Sequence, residues 1–140
     1  MKLKQLTVFV ENKVGYLSEI TELFAANDID MKALSIADTK DFGILRLIVD
    51  KPEAALKALK EQGLLGTITE VIGVEISNQT GALSKALSAL SSSGVNVEYL
   101  YAFLAGTKDS AYVVIKVNDN ASAEKILKAA GFKEITGLSE

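Results

Sequence analysis

The chain has 140 residues, 49% hydrophobic and 24% charged, with a formal net charge of −3 and neither histidine nor cysteine. The missing thiol and imidazole rule out disulfides, thiolate metal sites and cysteine nucleophiles, and weigh strongly against a triad hydrolase or a zinc enzyme. The acidic balance, with lysines scattered, lacks the attraction to phosphate that nucleic-acid binding requires, and no apolar run approaches the roughly 20 residues of a membrane span.

Met1 to Leu6 lead straight into a strand pattern without the apolar region of a signal peptide, so a cytoplasmic protein is expected. Leu6, Val8 and Val10 alternate with Thr7, Phe9 and Glu11, the period of a strand. A helical stripe of Leu17, Ile20, Leu23 and Phe24 follows and stops at Asn27-Asp28. A strand over 29–37, a turn at Thr39-Lys40-Asp41 and a strand over 42–49 read as a hairpin. Pro52 sits in the first turn of a second helix, where no intrahelical N–H is needed, and Gly63 closes it. A short strand over 67–70 completes a βαββαβ order.

The order then repeats. Glu11-Asn12-Lys13-Val14-Gly15-Tyr16-Leu17-Ser18 returns as Ser77-Asn78-Gln79-Thr80-Gly81-Ala82-Leu83-Ser84, displaced by 66 positions. The second copy is expected as strand 71–76, a helix with Leu83, Ala86, Leu87 and Leu90, strand 95–104, helix 124–130 and a last strand 132–136. Its hairpin turn, Ala105 to Ser110, is two residues longer, because Val49-Asp50 matches Val117-Asn118 at a displacement of 68. Two domains, 1–70 and 71–140, are expected, tightly coupled because 67–74 reads as nearly continuous strand.

Each unit has the ferredoxin-like order, an α+β class in which helices cover one face of an antiparallel sheet. Tyr99, Tyr101 and Phe103 fall on one side of their strand, Leu100 and Leu104 on the other. A sheet solvated on one face alternates apolar with polar, so the helix-free face or an edge is expected to meet another copy, as in a homodimer.

A strand, then Asn-x-x-Gly-x-Leu, then a helix ending in Gly94-Val95-Asn96-Val97, resembles the ACT domain, a small regulatory module of amino-acid metabolism. The first copy carries Asn12, Gly15 and Leu17, then Asp28-Ile29-Asp30-Met31, and the whole chain looks like stand-alone tandem ACT proteins without a catalytic domain. The resemblance implies an amino acid held at an interface between ACT domains. Asn78 and Asn12 would offer amides, Gly81 and Gly15 close backbone approach, and Asn96 a contact from the second strand. Thr80, Ala82 and Leu83, with Val14, Tyr16 and Leu17, would complete the two loops. Asp30 stands where the second copy has Asn96; a carboxylate accepts from an ammonium but repels a carboxylate, which favours the second loop.

Simpler readings stand beside these. The glycines and asparagines serve equally as turn residues, and Tyr99, Tyr101 and Phe103 as packing rather than a base-stacking platform. Glu98, Lys85 and Arg46 are the nearest ionisable candidates for catalysis, but no nucleophile, base and orienter come together. The expectation is a non-catalytic amino-acid-binding regulatory protein without metal or cofactor, and without nucleic-acid or membrane partners. The alternative is a ligand-independent regulatory subunit or scaffold for a target enzyme.

Overall fold

Alternating apolar residues build antiparallel strands, and in each half of the chain a pair of amphipathic helices closes one face of them. The computed structural model describes residues 1–11, 13–38, 41–105 and 107–135. Asn12, Thr39, Lys40, Gly106 and Thr136, which figure in the sequence reading, lie outside them. The elements are β1 (Lys2–Glu11), α1 (Tyr16–Ala26), β2 (Met31–Asp38), β3 (Phe42–Val49), α2 (Pro52–Glu61), β4 (Gly66–Ser77), α3 (Ala82–Ser92), β5 (Val97–Leu104), β6 (Ser110–Val117), α4 (Asn120–Ala129) and β7 (Lys133–Glu134). Among the described residues the chain divides into two compact units, one of Lys4–Thr69 and one of Met1–Leu3 with residues 70–135.

In the first unit β2 and β1 flank β3, both antiparallel. The Phe9 N–H donates to the Leu65 carbonyl on the other side of β1 at 3.0 Å. Leu6 faces Leu47 and Val8 faces Leu45 across the ladder, and this face buries Ile20 and Phe24 of α1 with Ala55 and Leu59 of α2. Each of the leucine, valine, isoleucine and phenylalanine side chains among these contributes about 1.5–3 kcal/mol of transfer free energy.

The second unit repeats this, with β4 and β5 flanking β6. Ile72, Val74, Ile76, Val113 and Ile115 bury Ala86 and Leu90 of α3 with Ala123 and Leu127 of α4. β7 pairs β4 at Val74 and Glu75. On the helix-free face Tyr101 is only 9% exposed, and Phe103 meets Tyr112 edge-on with ring centroids 5.3 Å apart. Leu3 and Ile135 cover Gly73 on that face, so part of it is closed within the unit itself. Leu100 packs against the helix-side core, whereas Leu104 is 93% exposed.

Among the described residues several boundaries differ from the sequence expectation, including the last strand, which is confined to Lys133–Glu134 rather than 132–136. β2 and β5 start at Met31 and Val97 because the N–H groups of Ile29 and Val95 donate back to the carbonyls of Phe24 and Leu90, closing the preceding helices. α4 starts at Asn120, not 124, because the Asp119 carboxylate accepts from the Ser122 N–H at 3.1 Å and caps it. Expected strands 67–70 and 71–76 are one strand, β4. Among the described residues no helix is long and apolar enough to cross a membrane.

Candidate functional site

The repeated motif lies where β1 hands over to α1 and where β4 hands over to α3. Both helices start on a glycine in the left-handed region, Gly15 with φ 85° and Gly81 with φ 90°. A Cβ is costly there, and glycine is the residue that enters it freely. Lys13 N–H donates to the Glu11 carbonyl at 3.0 Å and Glu19 N–H to the Gly15 carbonyl at 3.0 Å, which closes the turn onto the helix. Neither α1 nor α3 has a side-chain cap hydrogen bond. The N–H groups of Tyr16 and Ala82 donate to the Lys13 and Gln79 carbonyls at 3.4 and 3.2 Å, and the next N–H groups of the first turn have no acceptor within the helix and carry partial positive charge.

At the first of these junctions a cavity of about 190 Å³ opens. Its apolar wall is Val10, Tyr16, Leu17, Ile36 and Leu45; Glu11, Lys13 and Asp38 stand at its polar side, and Gly43 completes it. The β2–β3 ladder places Ile36 opposite Leu45 and Asp38 opposite Gly43, and the β1–β3 ladder places Val10 opposite Gly43. A methyl group added at Gly43 would sit 3.2 Å from Val10 Cγ2, so the glycine keeps that wall open. Lys13 Nζ lies 3.4 Å from Glu11 Oε2 and 5.5 Å from the centroid of the Tyr16 ring. Both charged groups are well solvated, so the pair is weak and Lys13 is readily available to another anion.

Of the residues singled out from the sequence, Tyr16 and Leu17 line this cavity, Gly15 makes its turn, and Val14 projects fully into solvent. Asn12 lies outside the described residues. Asp30 is elsewhere: Met31 pairs with Val49 and Glu11 with Phe42, at opposite ends of β3, on the order of 24 Å apart at the usual rise per residue. Its carboxylate pairs with Lys32 at 2.7 Å, and that hydrogen bond is the main cause of the raised Lys32 pKa.

In the second copy Asn78 is committed to its own hairpin: its amide donates to the Lys108 carbonyl at 3.0 Å, and its N–H to that of Asp109 at 2.8 Å. Asn96 sits at the far end of β6, where its N–H donates to Asn118 Oδ1 at 3.1 Å and its carbonyl accepts from the Asn118 N–H at 3.3 Å. Asp30 and Asp50 make the same reciprocal bracket in the first copy. Gly81 makes the turn, Thr80 is exposed, and Ala82 and Leu83 pack against the second core. Within one copy, therefore, Asn78 and Gly81 are not brought to Asn96. Of the cavity lining the sequence reading singled out only Tyr16 and Leu17; registering the β2–β3 hairpin outward from its turn would have placed Ile36, Asp38, Gly43 and Leu45 beside the loop.

A duplicated ferredoxin-like unit with a glycine-started helix after its first strand defines a pair of small α+β modules. Residues 1–136 match the family model of the ACT domain pair, and the chain belongs to that family. It is similar over 96% of its length, at 42% identity and a TM-score of 0.91, to protein BT0572 from Bacteroides thetaiotaomicron, of which 92% is covered. It shares its fold with the regulatory subunit of aspartate kinase from Thermus thermophilus in its ligand-free form, at 17% identity, a TM-score of 0.66, and 91% and 92% coverage. The corresponding subunit from Thermus flavus matches at 17% identity and a TM-score of 0.63, each chain covered to 91%. No protein of curated function matches the chain.

Proposed function

We propose that this chain is a non-catalytic regulatory protein that responds to a free amino acid bound at the strand–glycine–helix loop. The observation that carries the reading is the uncapped start of α1 opening on a cavity flanked by Lys13, Glu11 and Asp38. An α-amino acid needs donors for its carboxylate, here the first-turn N–H groups and Lys13. It needs acceptors for its ammonium, here Glu11 and Asp38. Two of the proteins that share the fold are described as regulatory subunits, the role proposed here. Binding signals only if the ligand favours one arrangement of the protein over another.

The test is an NMR titration of the labelled chain with mixtures of amino acids. Amide shifts concentrated at Lys13 to Ser18 support the reading; an unchanged spectrum at millimolar ligand refutes it.

A second reading, a ligand-independent regulatory subunit that docks on a target enzyme, is favoured by the half-exposed Leu34 and Ile36, which share one face of the edge strand β2. Apolar surface of this kind marks interaction sites. Co-purification of an enzyme from extract depleted of amino acids would select it. Self-association through such surface also agrees with the homodimer expected from the sequence; a monodisperse monomer by light scattering at micromolar concentration would remove that part.

A further inference from the structure

We infer that the binding site is confined to the first copy and selects an α-amino acid with an aliphatic side chain of about valine to leucine size. The inference rests on the amino-acid-binding reading above and adds which loop binds and what it selects. The two copies align through their hairpin registers: Ile36 opposite Leu45 corresponds to Ala102 opposite Val113, and Asp38 opposite Gly43 to Leu104 opposite Ala111. At six of the nine positions that line the cavity the second copy is the poorer, while Val10, Leu17 and Leu45 keep aliphatic counterparts in Ile76, Leu83 and Val113. Tyr16 and Ile36 become Ala82 and Ala102, which removes two walls, and Gly43 becomes Ala111, which adds a methyl where the first copy leaves space. Glu11, Lys13 and Asp38 become Ser77, Gln79 and Leu104, so the charges complementary to an ammonium and a carboxylate disappear together.

In the first copy the charged residues come from the strand ends and the loop, Glu11 ending β1, Asp38 ending β2 and Lys13 following β1, while Val10, Tyr16, Leu17, Ile36 and Leu45 supply the apolar lining. The polar head of an amino acid meets the charges and its side chain meets hydrocarbon. A buried charged or amide side chain would find no partner on that lining, whereas an aliphatic one loses only its contact with water. A dry apolar cavity of about 150 Å³ holds a six-carbon ring. The space here is of that order.

The experiment is calorimetric titration of the intact chain with leucine, isoleucine, valine, alanine, aspartate and lysine, repeated on Ile36→Ala, Gly43→Ala and Leu104→Ala. Ile36 is half-exposed and Leu104 almost wholly so, and these two variants are expected to fold. The inference predicts that an aliphatic ligand binds at least about tenfold tighter than alanine. Ile36→Ala or Gly43→Ala should weaken it by a similar factor, and Leu104→Ala should not. If aspartate or lysine binds best, or Ile36→Ala leaves affinity unchanged, the inference fails and the amino-acid reading stands. If no amino acid binds at millimolar concentration, both fail.

Discussion

The Asn78 side-chain amide donates to the Lys108 carbonyl at 3.0 Å, tying the loop before α3 to the β5–β6 hairpin. An asparagine that the family resemblance marks as a ligand contact is therefore used by the fold. Asn78→Ala is expected to lower stability by about 1 kcal/mol, the usual net worth of such a bond, and to leave amino-acid affinity unchanged. Urea denaturation together with ligand titration of the variant checks both halves.

Gly15 and Gly81 share a backbone conformation but not a proposed role. A Cβ at either would meet no atom within 4 Å, so substitution costs only the left-handed backbone. Gly15→Ala and Gly81→Ala should each destabilise by about 1–2 kcal/mol, and only the first should also weaken the ligand. Equal loss of affinity in the two variants would place the site in both copies.

Gly73 lies under Leu3. A Cβ there would collide with Leu3 Cδ1 and come 2.9 Å from its Cγ and 3.0 Å from Ile135 Cδ1. Gly73→Ala is expected to cost about 1–3 kcal/mol by overpacking. Leu3→Ala in the same chain should recover part of that loss, a coupling measurable by a double-mutant cycle.

Three carboxylates are held below their usual range and bear on acid stability: Asp119, Glu53 and Glu134, the last by hydrogen bonds from the N-terminal ammonium and Lys128. Ser122, through its hydroxyl and N–H, holds Asp119 below the usual carboxylate range, and a hydrogen bond from Lys4 does the same for Glu53. A folded-state pKa below the unfolded one gives stability that is present above the unfolded value and lost as pH falls through the folded one. The unfolded values are about 3.9 and 4.3, so the melting temperature should hold down to about pH 4 and fall below it. Asp119→Asn should flatten that fall; an unaltered profile would mean that Asp119 does not contribute.

Much of the fold was legible because its signals are local and appear twice. Period-2 runs marked β1 and β3, Pro52 and Gly63 bounded α2, and the displaced motif revealed the duplication. The start of α4 was missed because its apolar stripe shows only from Ala123, whereas the cap at Asp119 is polar chemistry outside that stripe. The candidate site was legible only in its turn. Gly15, Tyr16 and Leu17 are contiguous, but Ile36, Asp38 and Gly43 reach them through strand register, which single-residue patterns do not encode. Asn96 stood out by the family resemblance and Asp30 as its counterpart in the first copy; the register sets each at the opposite end of the ladder from the loop of its own copy.

The central claim, that this chain binds a free amino acid, is tested most directly by thermal unfolding in the presence of each of the common amino acids in turn. A ligand that binds only the native state at a concentration of 100 times its dissociation constant adds about 2.7 kcal/mol of stability. At least one amino acid at millimolar concentration is predicted to raise the Tm by several degrees; an unchanged Tm with every one of them would contradict the account.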